Sequence, residues 1–174
     1  MEQRRDSVSK MRRKNVDDKF IKNCTLNAFK RLLDKKSYSE ISIVEICKEA
    51  SIGRTTFYRH FHEFDGKRDI ILYWIGSTWS SFLESYAGNV TRNPSLVFLY
   101  YIESNKQLFS WLIREQLADL LFYVLFVTTK ASESSNSYQD AYLSGAIFGV
   151  IYQWVKDEFS KSADQIYEML MQSN

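Results

Sequence analysis

Apolar residues recur along this chain with the period of a helix. From residue 16 onward an i, i+4 stripe of apolar positions predicts a first helix of about five turns; its members are Val16, Phe20, Cys24, Ala28 and Leu32. The same periodicity returns after each short polar break. One proline and six glycines are too few for the tight turns that a sheet protein needs. We therefore predict an all-α protein of about nine helices.

Two short helices follow the first one. Ser42 and Glu45 have the spacing of a capping box, in which each side chain bonds the other residue's backbone amide, so the second helix is expected to start there. A turn at residues 51–53 leads into a third helix over residues 54–61. Short helices joined by such a turn are typical of a helix-turn-helix DNA-binding domain.

The predicted organisation has three parts. A flexible basic arm covers residues 1–14, the helix-turn-helix domain covers 15–66, and a helical bundle for ligand sensing and dimerisation covers 67–174. Residues 1–68 contain 17 lysines and arginines and 10 acidic residues, which gives a charge of +7. Residues 69–174 have a charge of −5, so the net charge of the chain is +2. A basic head on an acidic body indicates a polyanionic partner for the head, with a solvated basic face as the alternative.

The third helix carries the residues that point to DNA. The guanidinium group of arginine can form two hydrogen bonds at once to a guanine edge or a phosphate. The threonine methyl group can contact the thymine methyl group, and hydroxyl groups can bond phosphates. The outward positions of this helix are Arg54, Thr55, Thr56, Tyr58, Arg59 and His60. An ordinary solvated helix face is the competing interpretation.

Within residues 45–61, the run of Thr56, Phe57, Tyr58 and Phe61 resembles the signature of the TetR family of transcription regulators. The resemblance covers residues 15–75. Residues 143–149, followed by Trp154, resemble the last long helix of a small-body branch of that family from low-GC Gram-positive bacteria.

The sequence departs from the TetR pattern at three places. Ser51 stands where a turn glycine is usual, and Gly53 stands where a capping serine is usual. Phe64 occupies the position at which the family has a phosphate-binding lysine, and the nearest lysine is Lys67.

The resemblance implies a dimeric repressor that binds a palindromic operator in double-stranded DNA and is released by a small-molecule effector. It implies phosphate contacts for Ser42, Tyr58, His60 and Lys67, and major-groove contacts for Arg54, Thr55 and Arg59. Phe57 and Phe61 are expected to be structural. The alternative is a TetR-like coregulator that is controlled by a protein partner.

Aromatic side chains are concentrated in the body, where a helical bundle can enclose a pocket for an apolar or cationic effector. Plain core packing is the other explanation for any one of them. The candidates for a pocket lining are Trp74, Trp79, Phe82, Tyr100, Tyr101, Trp111, Phe122 and Phe126.

A homodimer is expected because two predicted helices, 113–130 and 138–159, are apolar on more than one face and need a partner to cover them. Gly145 and Gly149 leave a flat stripe for close helix approach, and Tyr152 is assigned to the same contact. Packing of these glycines within one subunit is the alternative.

Other functional classes have little support in the sequence. It contains no nucleophile elbow, phosphate-binding loop or dinucleotide motif, and its two histidines lie two positions apart, which does not suit a metal site. We expect no enzyme activity, no metal and no cofactor. Residues 1–19 lack an apolar signal segment, and the longest apolar run, residues 120–127, is too short to span a membrane. The expected location is the cytoplasm, with Cys24 and Cys47 as buried thiols.

Overall fold

The computed structural model describes residues 2–88, 93–129 and 137–172, and the side chains of residues 18–88, 93–128 and 137–172. Over these ranges the fold contains nine α-helices, one short 3₁₀ turn at Tyr38–Glu40, and no strand, so the all-α prediction is confirmed. The helices are α1 (Glu2–Leu33), α2 (Ile43–Glu49), α3 (Arg54–His60), α4 (Lys67–Ser85), α5 (Pro94–Ser104), α6 (Lys106–Arg114), α7 (Ala118–Thr129), α8 (Ser137–Lys156) and α9 (Ala163–Gln172).

The start of the chain differs from the expected flexible arm. Residues 2–14 belong to α1, which runs without a break from Glu2 to Leu33. This segment contains no glycine or proline and is rich in Arg and Lys, which lose little side-chain freedom in a helix. Its side chains up to residue 17 lie outside the described residues.

The chain divides into two compact units, Met1–Ser77 and Thr78–Asn174. The first unit extends beyond the sequence-based domain boundary at residue 66 because the beginning of α4 is attached to α1. The Tyr73 hydroxyl donates a 2.7 Å hydrogen bond to Asn23 Oδ1, and Lys30 Nζ lies 4.5 Å from the centre of the Trp74 ring. Ile70 and Ile71 of the same helix are fully buried.

The tight turn between α2 and α3 is a Schellman motif. The amide of Ile52 donates to the Cys47 carbonyl at 3.0 Å, and the amide of Ser51 donates to the Lys48 carbonyl at 3.1 Å. This pair of bonds needs a left-handed residue after the helix, and Ser51 adopts it with φ of 55°. Gly53 then caps α3 through its extended backbone, without a side-chain hydrogen bond.

The predicted helix over residues 113–130 is wrong at its start, because a second Schellman motif separates α6 from α7 there. Here α6 ends at Arg114, Gln116 has a φ of 60°, and the Leu117 amide donates to the Leu112 carbonyl at 2.8 Å. Leu112 and Leu117 are both buried, and burial of these two positions favours the turn even though no glycine is present. A new helix, α7, starts at Ala118.

The predicted helix over 138–159 is also shorter at its end. Glu158 and Phe159 have positive φ values, and the Phe159 amide donates to the Trp154 carbonyl at 2.9 Å. The two rings of Trp154 and Phe159 then lie 5.1 Å apart. Burial of Trp154, which is 2% exposed, therefore ends α8 at Lys156.

In the second unit, α7 packs along α8, and α5 packs against α9. Its core combines aliphatic and aromatic side chains, among them Tyr101, Ile102, Phe109, Leu120, Ile151 and Trp154. Among the helices that the structure describes, none combines the length and the apolar character needed to cross a bilayer.

Candidate nucleic-acid interface

The helix-turn-helix begins at a capping box with the predicted members. Ser42 Oγ accepts from the Glu45 amide at 3.2 Å, and Glu45 Oε2 accepts from the Ser42 amide at 3.0 Å and from its hydroxyl at 2.8 Å. Lys36 donates a further hydrogen bond to the second oxygen of Glu45. The Ser42 hydroxyl is exposed at the start of α2, but it is already engaged in this box.

The charge of Glu45 should make this cap sensitive to acid. The hydrogen bond from Lys36, followed by those from the Ser42 amide and hydroxyl, lowers the pKa of Glu45 to about 2 from 4.5. Because the pKa is lower in the folded state, the stabilisation is complete above pH 4.5 and is lost as the pH falls through 2. We expect chemical denaturation to show this loss in the wild type.

The matched control is Glu45→Gln, which keeps a capping-box acceptor but cannot titrate. Its stability should depend less on pH between 4.5 and 2 than that of the wild type. Identical pH profiles for the two proteins would show that the Glu45 charge does not support the α2 start.

One side of α3 is exposed, and it carries four of the six residues predicted to face DNA. Arg54, Thr55, Tyr58 and Arg59 are exposed, while Thr56 is half-buried. Phe57 and Phe61 are buried, with ring centres 5.2 Å apart. This confirms that the two phenylalanines are structural and that they set which side of α3 faces outward.

The exposed arginines of α3 differ from other cations of the first unit in whether they form an ion pair. Arg31 bonds Glu49 at 2.7 Å, and Lys22 lies 3.1 Å from Asp18. By contrast, neither Arg54 nor Arg59 forms an ion pair with any residue in the described ranges. Their guanidinium groups are thus available to an external anion.

His60 does not share the outward face. Its Nδ1 lies 2.6 Å from Asp18 Oδ1 on α1, and its side chain is only 11% exposed. Its Nε2 is buried and has no hydrogen-bond partner among the described residues. In this arrangement neither ring nitrogen is presented to a phosphate, contrary to the role that the resemblance implied.

Lys67 is also engaged within the head. Its Nζ donates to the carbonyls of Tyr38 and Ile41 at 3.1 and 3.0 Å and lies 4.3 Å from the centre of the Tyr38 ring. The first residue of α4 is therefore tied to the segment that precedes α2. Two of its three donors are satisfied by backbone, which differs from the expected phosphate contact.

A carboxylate that sequence reasoning missed holds the linker after α3. The buried Asp69 accepts from the amides of Glu63, Phe64 and Gly66 at 2.9 to 3.2 Å. Gly66 has a φ of 81°, and a Cβ there would lie 2.8 Å from the Phe57 ring. The isolated glycine in the linker was the available signal for this turn.

Aromatic residues of the second unit lie against one another. The Trp79 ring lies 4.9 Å from Tyr101 and 5.9 Å from Phe82, and Tyr100 donates to Asp164 at 2.5 Å. On α7, Phe122 and Phe126 stack at 6.3 Å, and Trp111 is half-buried. Trp74 belongs to the first unit. Ring contacts thus join Trp79, Phe82 and Tyr101 in one group and Phe122 and Phe126 in another.

An apolar cleft of about 350 Å³ lies elsewhere in the second unit, among α5, α7, α8 and α9. Its lining is mostly aliphatic but includes Phe98 and Met171 and three hydroxyl-bearing residues, Ser95, Thr128 and Tyr167. None of its described lining residues is charged. None of the eight predicted aromatic residues lines it. The cleft depends on the meeting of four helices, which periodicity cannot reveal.

The predicted dimer residues share the face of α8 that points away from the core. A Cβ added at Gly145 or Gly149 would meet no atom within 4 Å, and Tyr152 is exposed. The same stripe contains Tyr138 and Tyr142, which are 85% and 80% exposed. The glycines are thus not used for packing within the described part of this subunit.

No family model matches the sequence. In fold, the chain is similar to the crystal structure of Lin0861 from Listeria innocua, with a TM-score of 0.67 over 91% of each chain and 18% sequence identity. This similarity supports the all-helical fold and extends over both units. At such an identity the function has to be argued from the chemistry of the residues.

Proposed function

We propose that this protein is a sequence-specific DNA-binding transcription regulator of the TetR type, acting in the cytoplasm as a dimeric repressor that a small molecule releases. The observation that carries the proposal is the exposed face of α3, where Arg54 and Arg59 have no ion-pair partner in the described ranges. Phe57 holds this face outward. A short helix with exposed guanidinium and hydroxyl groups can lie in the major groove of DNA and form hydrogen bonds there.

The test is to incubate the full chain with random double-stranded DNA and to sequence the fragments that it retains. A palindromic motif with half-sites about one helical turn apart is the expected result. Affinity for that motif should fall with salt, because each neutralised phosphate releases condensed counterions. Retention of no preferred sequence, or binding that salt does not affect, would contradict the proposal.

Two substitutions on α3 should separate base reading from phosphate contact. Arg54→Ala is expected to cost about 1–3 kcal/mol of binding free energy and to relax specificity at one base position. Tyr58→Phe removes only a hydroxyl and should weaken all sequences alike, since phosphate contacts carry no base information.

The measurement for both variants is affinity for the selected motif and for single-base variants of it. The proposed roles fail if Arg54→Ala retains full discrimination at every position, or if Tyr58→Phe changes which base is preferred.

The proposed dimer places the outward stripe of α8 against the same stripe of a second copy. Gly145 and Gly149 permit close helix approach, and the exposed rings of Tyr138, Tyr142 and Tyr152 supply the apolar area. Large exposed apolar patches are typical of interaction surfaces. A two-fold contact of this kind matches a palindromic operator.

The proposed effector site is the apolar cleft of the second unit. Its volume, about 350 Å³, lies within the range of small-molecule sites. Because burial of an unpaired charge is costly and no described lining residue is charged, the cleft favours a neutral apolar effector over a cationic one. Its presence supports control by a small molecule over control by a protein partner.

A cleft-filling variant tests this site. Decanol should release the wild type from its operator, and Ala146→Trp, which places a ring at the cleft, should abolish the release while DNA binding remains. Gln139→Trp, on an exposed position of the same helix outside the cleft, is the control and should respond like the wild type. If decanol released Ala146→Trp from the operator as readily as it releases Gln139→Trp and the wild type, the cleft would be excluded as the effector site.

A further inference from the structure

The recognition surface of α3 depends on how that helix is held, and α3 is very short. It has seven residues, far fewer than a helix needs to be stable alone in water. Its position must therefore come from contacts with other elements. The rings of Phe57 and Phe61 supply apolar contact, which has no strong directional preference.

The directional contact is made by the last residue of the helix. His60 Nδ1 lies 2.6 Å from Asp18 Oδ1, and within the described ranges this is the side-chain hydrogen bond that joins α3 to α1. Hydrogen bonds weaken steeply with angle, so this bond restrains the end of α3 in addition to the outward orientation that Phe57 and Phe61 set.

The direction of this hydrogen bond follows from the charge of Asp18. Burial by itself raises the pKa of Asp18, but the hydrogen bonds from His60 and Lys22 outweigh it and hold the pKa below its usual value. An ionised carboxylate only accepts, so His60 Nδ1 must be the donor. A hydrogen bond to a charged group is among the stronger ones in proteins.

We propose that His60 is a positioning residue for DNA recognition, which acts by anchoring the end of α3 to Asp18 rather than by touching DNA. This inference rests on the proposed DNA-binding function and changes the role of one residue within it. The neighbours of His60 at the end of α3, Tyr58 and Arg59, are exposed, so a loose anchor would misplace both.

The decisive variant is Asp18→Asn, because the two possible roles of His60 predict opposite results. If His60 anchors α3, replacing the charged acceptor by the neutral Asn oxygen weakens binding to the selected motif by up to about tenfold. If His60 binds phosphate, removal of a nearby negative charge strengthens binding. Asp34→Asn, an exposed aspartate just after α1, makes the same change in net charge and should leave specific binding unchanged.

The salt dependence supplies a second readout. His60→Ala should lower affinity for the motif without changing the slope of affinity against salt, whereas loss of one phosphate contact reduces that slope by about 0.9. His60→Asn retains a donor near the Nδ1 position and should restore most of the affinity. The double variant with His60→Ala and Asp18→Asn should bind the motif no more weakly than the weaker of the two single variants. A reduced slope or additive losses would overturn the proposal.

Hydrogen exchange of the α3 amides separates this inference from the function on which it rests. Faster exchange in His60→Ala and Asp18→Asn than in the wild type and Asp34→Asn shows that the pair anchors the helix, whether or not DNA is bound. If the wild type retains no preferred DNA, the proposed function fails on that result. If α3 exchanges equally in all four proteins, the anchor itself is refuted.

Discussion

Gly149→Trp is expected to convert a dimer into a monomer while the subunit stays folded. A Cβ at this position would meet no atom within 4 Å of the same chain, so the subunit can accept the ring. In a dimer that forms through the outward stripe of α8, two-fold symmetry places the new tryptophan ring of each copy in the contact. Overpacking of this kind costs about 1–3 kcal/mol for each ring.

Analytical ultracentrifugation should therefore show a shift to monomer, with helix content by circular dichroism largely unchanged. Binding to a palindromic motif should be lost, because a single head makes few contacts. Gln139→Trp is the matched control, since it puts the same ring on an exposed position of α8 that lies outside this stripe. A Gly149→Trp protein that remains a tight dimer and still binds its motif would place the dimer contact elsewhere.

Phe57→Ala is expected to lower the stability of the head by about 3–5 kcal/mol. The ring is 0% exposed and lies against Phe61 and against the edge of Tyr58, and the chain turns past it at Gly66. Single domains are stable by only about 5–15 kcal/mol, so the loss removes a large share of the total. DNA binding should disappear with it.

Phe57→Leu is the control, because a swap that nearly conserves volume costs less than about 1.5 kcal/mol. Chemical denaturation measures both losses, and hydrogen exchange assigns them to a unit. Amides of α1 to α3 should lose protection in Phe57→Ala, whereas those of α7 and α8 should keep it. A loss below about 1 kcal/mol would mean that Phe57 does not organise the helix-turn-helix as its burial indicates.

Local chemistry was enough to predict the start of the helix-turn-helix. The capping box of Ser42 and Glu45 depends on groups three residues apart in the chain, and such short-range bonds can be read directly from spacing. The inward direction of Phe57 and Phe61 follows equally from helical periodicity. For the same reason four outward residues of α3 could be identified from the sequence.

The ends of α6 and α8 could not be predicted in this way. Gln116 and Glu158 take up left-handed backbone conformations that are usually signalled by glycine. At Gln116 the turn is favoured because Leu112 and Leu117 become buried together. That gain exists only when neighbouring helices cover the two side chains, so nothing in the local sequence announces it.

By itself, the sequence determined the helical class, the place of the helix-turn-helix and the outward face of its third helix, because these follow from interactions within a few residues. Only the tertiary structure decided that His60 turns toward Asp18, 42 positions away, and that Lys67 bonds the carbonyls of Tyr38 and Ile41. It also decided where the apolar cleft lies, between four helices. The physical reason is that a side chain's partner across the fold depends on the packing of whole elements, which no local pattern contains.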